Sequence, residues 1–338
     1  MKRVVIPKSG DANILQVQES PDLTPAKGEV SIQVQAAGIN FADILARQGL
    51  YQDAPAYPCT VGYEVSGIVD QVGEGGDKSL IGTAVIAMTR FNGQASQVVV
   101  PEIQVFPKPE KLSFEQAAAL PVNYLTAWQG LVIGGALQPE DSVLIHNVGG
   151  GVGLAALEIA QHIGATTIGT ASGGKHPFLK EKGLDHAIDY RNDDWTKALD
   201  RITAGKGVEL ILDPIGGKSW KQSYKALRST GRLGMFGIST AAGNGLLNQW
   251  RLLKLILQIP FFHPVPLMHD NRGVFGINMG RLWHEPEKIR TWMDKILKGI
   301  DEGWINPQVD KVFKFEEAAA AHTYIENRQN KGKVVLIP

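Results

Sequence analysis

The stretch DSVLIHNVGGGVG, from Asp141 to Gly153, constrains this chain more than any other. A polar pair leads into an apolar run, a glycine cluster, and then LAALEIAQHIGA, whose apolar residues repeat at helical spacing. Strand, tight turn and helix in that order put a helix N-terminus where an anionic group binds. Glycines there let a phosphate approach bare backbone amides. Gly150 and Gly153 take the second and third glycine positions of the dinucleotide-binding fingerprint, and Val148 stands at the first. The turn residues expected around a pyrophosphate are Gly150, Gly151, Val152 and Gly153. A purely structural tight turn is the alternative.

The next segment, TTIGTAS (166–172), reads as a second strand and brings Ser172 to where such turns expect an acidic ribose-binding residue. No Asp or Glu lies between Thr166 and Pro177; Ser172, Gly173, Gly174 and Lys175 follow the strand instead. A carboxylate at this place holds a ribose 2′-hydroxyl and repels a 2′-phosphate, whereas a hydroxyl with an ammonium does the reverse. The expected cofactor is therefore NADPH rather than NADH, with Lys175 on the 2′-phosphate. A solvated surface lysine is the alternative.

At 338 residues the chain calls for roughly two domains. Its 43% hydrophobic and 20% charged content fit a folded globular protein. Lys plus Arg and Asp plus Glu balance at 34 each, so no global field draws nucleic acid or an acidic membrane. The single cysteine, Cys59, excludes an internal disulfide framework. MKRVVIPKSG reads as a first strand rather than a signal peptide, no run of eighteen apolar residues occurs, and a cytoplasmic location is expected.

Before the glycine turn the chain reads as β-rich, with alternating runs at 29–39, 65–73, 82–88 and 95–101. Residues 113–132 turn helical, with Ser113 and Gln116 spaced as a capping box. Strand–helix alternation follows, with strands expected at 186–190, 208–215, 231–237 and 274–278, a helix over 286–303 and a closing strand in KGKVVLIP. In 246–268, Trp250, Leu253 and Leu257 share a helical face, expected to wall an apolar cavity, cover a dimer contact or pack in the core.

The segments AAGINFADILARQGLY, VGYEVSGIVDQVG, AAALPVNYLTAW, HNVGGGVG, GTASGGKH, GRLGMFG and GKVVLIP occur in this order along essentially the whole chain. Together they resemble the zinc-free quinone oxidoreductase branch of the medium-chain dehydrogenase/reductase superfamily; parts past residue 205 are similar to its vesicle amine transport protein-like subgroup. The resemblance implies an α/β chain in which a Rossmann doubly wound parallel sheet domain (123–278) is inserted into a β-rich GroES-like catalytic domain (1–122 and 279–338). It implies an active site in the cleft where they meet, and a homodimer paired through VFGIN (274–278). In zinc-dependent relatives a catalytic ion is held by Cys, His and a third ligand. The matching positions here are Asn40 and Tyr63, poor ligands for zinc, and one cysteine cannot build the four-cysteine structural site.

The same resemblance implies roles for individual residues. Asn40 is placed at the nicotinamide ribose or the substrate oxygen, against a plain helix cap. Tyr51 is a candidate proton donor or a packed aromatic, and Tyr63 a cleft residue with or without a catalytic part. Asp43 and Glu64 are expected in an ion pair or a cap. Thr126 is placed near the nicotinamide ribose, Tyr190 beside the adenosine phosphate, and Phe236, Gly237 and Ile238 at the carboxyl edge of the sheet. Phe275 and Lys333 complete the cofactor set, with an edge-strand lysine as the alternative for Lys333. Without a Lewis acid, the reaction expected is NADPH-dependent reduction of a quinone or α,β-unsaturated carbonyl, an apolar, electron-poor substrate. A 2-enoyl-thioester reductase, or a non-catalytic NADPH-binding protein of crystallin-like or vesicle-associated type, are the alternatives.

Overall fold

EVSIQVQAAGI, the longest alternating run before the glycine turn, forms a strand over Glu29–Ile39 that organises one of two structural units. The computed structural model describes residues 1–243 and 255–338. Unit 1 comprises Met1–Leu125 with Met279–Pro338, and unit 2 comprises Thr126–Asn278.

The N-terminal strands of unit 1 are β1 (Lys2–Val5), β2 (Gln16–Glu19), β3 (Glu29–Ile39), β4 (Glu64–Val72), β5 (Ala84–Met88), β6 (Gln97–Pro101) and β7 (Val105–Pro107). Unit 2 contributes β8 (Ser142–His146), β9 (Thr166–Ala171), β10 (His186–Asp189), β11 (Val208–Asp213), β12 (Leu227–Met235) and β13 (Gly273–Gly276). The chain then returns to unit 1 with β14 (Val309–Lys314) and β15 (Lys333–Ile337). In unit 1 a seven-stranded sheet runs β14-β15-β3-β4-β5-β7, with β6 also paired to β3. Alternation sends Val30, Ile32 and Val34 of β3 inward against Val65, Val69, Val85 and Val98. The C-terminal tail is thus woven beside β3 through Val334–Ile39 and Leu336–Ala37 pairing.

Helix α1 (Phe41–Arg47) follows β3 directly. The helical run expected over 113–132 is divided. A capped turn, α2 (Phe114–Ala117), precedes α3 (Pro121–Trp128), and a π-helical segment covers Gln129–Gly134. Pro121 has no N–H to continue the first helix and is well suited to begin the second. The capping box forms as expected, with Ser113 Oγ accepting from the Gln116 N–H.

Unit 2 is a six-stranded sheet in the order β10-β9-β8-β11-β12-β13, parallel throughout. Its described helices include α4 (Gly151–Ile163), α5 (His176–Glu181), α6 (Trp195–Ile202), α7 (Lys218–Ala226) and α8 (Pro264–Asp270). Strands buried on both faces read as continuous apolar runs, which is why VLI in β8 and LIL in β11 show no alternation. From β8 the order proceeds outward to β9 and β10 on one side, and from β11 to β12 and β13 on the other. The switch therefore falls between β8 and β11, at whose carboxyl ends open α/β sheets bind ligands. Strand β12 starts at Leu227, earlier than glycine punctuation suggests, and ends at Met235.

In unit 1, α9 (Pro286–Glu302) ends at Gly303 in the left-handed region, and α10 (Ala318–Glu326) packs beside β15. Among the described residues no helix is long and apolar enough to cross a membrane. Trp250 and Leu253 lie outside the described residues. Leu257, Phe261 and Met268 are exposed rather than packed in a core, and Phe261 and Phe262 line a cavity of about 250 Å³ with Tyr224 and Arg272.

Candidate functional site

In unit 2 the glycine turn is a backbone cradle. Strand β8 ends at His146, Asn147 takes φ 55°, and Gly150 caps α4 in an extended conformation. Asparagine tolerates the left-handed region better than most residues, so it can open the turn. A Cβ on Gly153 would fall 2.5 Å from the Asn147 carbonyl oxygen, and one on Gly150 would fall 2.9 Å from Asn147 Nδ2. Val148 occupies the first fingerprint position because the neighbouring strand makes room for it. Its Cγ1 lies 2.5 Å from where a Gly169 Cβ would be. The missing glycine has in effect moved one strand over, a pairing visible only once β8 and β9 are in register.

Lys175 is not a solvated surface lysine. It is 8% exposed, and its Cδ lies 3.0 Å, its Nζ 3.8 Å, from the point a Gly149 Cβ would occupy. The glycine turn and the cation after the next strand are therefore brought together. Ser172 begins the short turn Gly173–Lys175, closed by the Lys175 N–H on the Ser172 carbonyl. An acid absent from 166–177 arrives from the adjacent strand. Asp189 Oδ2 would meet a Gly173 Cβ at 2.6 Å, and the Arg191 N–H, Asn192 and the Gly173 N–H hold its carboxyl below the usual range. Tyr190 follows it, half-buried. Sequence proximity gave no sign of Asp189; strand pairing places it.

The remaining unit 2 candidates are dispersed. Phe236, Gly237 and Ile238 follow β12, and the Phe236 N–H donates to the Asp213 carbonyl at 3.3 Å, at the carboxyl edge as expected. Thr126 lies buried on α3. Phe275 sits on β13, and its ring fills the space that side chains at Gly134 and Gly234 would need, so packing accounts for it.

In unit 1, Asn40, Glu64 and Lys333 form one cluster. Lys333 Nζ donates to Asn40 Oδ1 at 2.7 Å and pairs with Glu64 Oε1. Asn40 Nδ2 donates to the same Glu64 oxygen at 2.9 Å, and Glu64 Oε2 accepts from the Val122 N–H at 2.7 Å. An ammonium can only donate and a carboxylate only accept, so the Asn40 amide has one possible orientation. Glu64 takes one of its two Nδ2 hydrogens. The reading of Lys333 as an edge lysine is corrected: β15 lies between β14 and β3, and the side chain is 3% exposed. Gly38 makes room, since a Cβ there would strike Glu64 Oε1 and Lys333 Cε.

Asp43 caps α1, accepting from the Asn40 N–H at 2.7 Å and the Gly62 N–H at 3.0 Å. Burial pushes its carboxyl up to about 7, against the pull of those amides and of Lys333. Glu64 is the ion-paired acid and Asp43 the capping one, the two roles expected for these carboxylates. Tyr51 and Tyr63 meet edge to face, with ring centroids 6.3 Å apart, and Tyr63 also tilts against Phe91. Burial pushes both phenols up, Tyr51 with help from Asp53 and Tyr63 with help from Asp43. Their hydroxyls influence one another, yet Tyr63 Oη is buried without a partner in full hydrogen-bond geometry. Among the described residues no cluster of His, Cys, Asp and Glu suits a metal ion.

Two family models match: an alcohol dehydrogenase GroES-like domain over residues 26–110 and a zinc-binding dehydrogenase over 182–336. The human synaptic vesicle membrane protein VAT-1 homolog is 36% identical over 100% of this chain and 86% of its own length. The crystal structure of Escherichia coli quinone oxidoreductase complexed with NADPH superposes with TM-score 0.88 at 28% identity, covering both chains fully. That of CurK enoyl reductase gives 0.86 at 29% identity, over 99% of this chain and 98% of the other. With a GroES-type unit split by a parallel dinucleotide-fold sheet, and relatives matched from end to end, the chain belongs to the medium-chain dehydrogenase/reductase superfamily, in its quinone oxidoreductase-type, VAT-1-like branch.

Proposed function

We propose that this chain is an NADPH-dependent reductase that reduces a quinone or an α,β-unsaturated carbonyl without a metal ion. The observation that carries the proposal is the Asn40 amide, locked by Lys333 and Glu64 at the position where zinc-dependent relatives hold a ligand. Amide and phenol suit a borderline-soft cation poorly, but they are hydrogen-bond donors. Asn40 keeps an Nδ2 hydrogen for an acceptor's oxygen, and a fixed donor stabilises charge developing there without reorganising. Tyr51 is the second candidate donor. Tyr63, its phenol pushed up by burial, serves better as an apolar wall than as an acid.

The residues of the turn fit a dinucleotide. Gly151, Val152 and Gly153 offer the N–H groups of a helix N-terminus to a pyrophosphate, and Gly150, whose own N–H donates to the Asn147 carbonyl, leaves it room without a side chain. Lys175 with Ser172 offers an ammonium and a hydroxyl to a 2′-phosphate, while Thr126, Tyr190 and the Phe236–Ile238 segment lie on the same unit. When bound, NADPH supplies the hydride. Asp189 weighs against the phosphate: the Arg191 and Gly173 N–H groups and Asn192 keep its carboxylate ionised, and the Lys175 ammonium has to offset that charge. Among the described residues the edge strand β13 pairs with β12 alone, and its other side is where a second copy would add strands; we propose a homodimer, which a monomer mass by light scattering at micromolar concentration would refute.

NADPH oxidation with 9,10-phenanthrenequinone, an alkyl vinyl ketone and crotonyl-CoA, run in parallel, tests the proposal. Turnover with either of the first two supports it. Turnover confined to crotonyl-CoA favours a 2-enoyl-thioester reductase, and none at high enzyme concentration favours a non-catalytic NADPH-binding protein.

A further inference from the structure

A second set of ionisable side chains, outside both clusters above, is buried at the switch point between β8 and β11. Asp213, at the end of β11, is fully buried. Its Oδ2 accepts from Ser219 and Ser223 hydroxyls, each at 2.7 Å, and its Oδ1 from the Ile215 N–H at 2.7 Å. His146, at the end of β8, is 1% exposed. Its Nε2 lies 3.2 Å from Ser223 Oγ, and its Nδ1 lies 3.0 Å from Thr170 Oγ1 on β9. Thr170 Oγ1 in turn receives the Asn147 N–H at 3.3 Å. Trp195 of α6 closes the side, edge-on to the imidazole at 4.7 Å.

Counting hydrogens gives this chain of contacts a direction. Three donors converge on Asp213, so it accepts from all of them. Ser223 has one hydrogen and spends it on Asp213; its oxygen must then accept from His146 Nε2. Burial lowers the tendency of His146 to take a second proton, with Asp213 pulling the other way, and a neutral ring carries one N–H. Nδ1 is then bare and accepts from the Thr170 hydroxyl, which leaves the Thr170 oxygen turned toward the Asn147 amide. Asn147 is the left-handed residue on which the glycine turn begins, and its carbonyl is the atom against which Gly150 and Gly153 pack.

We propose that Asp213, Ser223, His146 and Thr170 form a one-way hydrogen-bond relay that fixes His146 as its Nε2–H tautomer and pins the first residue of the glycine turn. His146 is then a positioning residue for the dinucleotide site, a consequence that rests on the turn's being the NADPH site as proposed above. The relay explains why two buried hydroxyls and an imidazole are kept among apolar strand ends, where leaving any one unpaired is costly.

Long-range proton–nitrogen correlation spectra of the full chain, labelled with ¹⁵N-histidine, read the tautomer directly, with His146 assigned by the signal lost in His146→Gln. The expected result at neutral pH is a neutral ring protonated on Nε2. A ring protonated on Nδ1, or an imidazolium, overturns the relay. Ser223→Ala removes one link while leaving Asp213 its Ser219 and Ile215 partners. It should mix the tautomers, speed hydrogen exchange of the Asn147 amide about fivefold, and weaken NADPH by a similar factor, as befits one hydrogen bond. The KM for the acceptor should stay put. Unchanged tautomer and unchanged exchange overturn the relay, and faster exchange with unmoved NADPH affinity overturns its link to the coenzyme. A wild type that binds no NADPH refutes the coenzyme assignment instead, and tautomer and amide exchange still decide the relay.

Discussion

Unit 2 presents its turn almost entirely as backbone. Three consecutive glycines, a left-handed asparagine and a helix N-terminus lie within a few residues, with Thr170 and Lys175 reaching in from the next strand and the turn after it. Unit 1 presents its cluster as side chains: Asn40 after β3, Glu64 on β4 and Lys333 on β15, which meet only after the C-terminal tail has joined the sheet. A backbone site fails when volume is added to it. A side-chain site fails when its charges are unbalanced. Substitutions in the two units should therefore fail in different ways.

The largest effect should come from Lys333→Met. Glu64 is fully buried and Lys333 3% exposed, and removing one partner of such a pair costs about 3–5 kcal/mol, because the other charge stays buried alone. Urea denaturation of Lys333→Met, Glu64→Gln and the double variant measures this. The double variant should regain most of the loss. A Lys333→Met protein as stable as wild type would show that the cluster is not held by charge, and the contrast with unit 2 would collapse.

Next in size is a pH effect from the same cluster. Asp43 titrates at about 7 in the folded chain, against 3.8 for the free side chain. The folded value is the higher one, so between about pH 4 and 7 the unfolded chain binds fewer protons and stability falls as pH rises. Above pH 7 both states are ionised and the loss levels off. The fall should amount to a few kcal/mol, and Asp43→Asn should remove it from a series of urea melts across that range. Because the Lys333 charge lowers Asp43, Lys333→Met should carry the window to higher pH. A flat profile for wild type would deny Asp43 its buried, charge-disfavouring place.

On the backbone side, Gly153→Ala should cost about 1–3 kcal/mol, the usual range for overpacking, since the new methyl group meets a carbonyl oxygen and a Cα rather than a yielding side chain. NADPH affinity should fall with it by at least about tenfold, as the turn moves off the coenzyme. Gly174→Ala, where nothing lies within 4 Å, is the control and should leave both quantities unchanged. Equal behaviour of the two variants would mean that the turn is not the close-packed cradle described here.

These contrasts also explain what the sequence made legible. The turn could be read because its chemistry is local: strand, glycines and helix are contiguous, and Ser172 and Lys175 follow by one strand. Even there, Gly169, which makes room for Val148, and Asp189, which reaches Gly173 from β10, are invisible without the register of neighbouring strands. In unit 1 the expected roles of Asp43 and Glu64 matched, but nothing near residue 333 signals that Lys333 fixes the Asn40 amide. Strand position decides it, because β14 covers the edge that the closing segment would otherwise form. Likewise, a continuous helical pattern over 113–132 conceals a division made by Pro121.

The smallest expected effect sharpens the comparison most, because it asks which side chains of unit 1 do chemistry. Tyr63 Oη is buried without a partner in full hydrogen-bond geometry, and an unpaired buried hydroxyl lowers stability, so Tyr63→Phe should be neutral or slightly stabilising. Its ring contacts with Tyr51 and Phe91 survive the change. If Asn40 is the principal donor, the rate with a quinone should shift by less than about twofold in Tyr63→Phe and fall by about tenfold or more in Asn40→Ala, the size expected when one donor to a developing oxyanion is lost. Steady-state kinetics at saturating NADPH, beside thermal melts of the same samples, separate the two. A Tyr63→Phe protein that melts like wild type but loses most of its turnover would move the donor from the locked amide to the phenol, and the Lys333–Glu64 pair would then serve the fold alone.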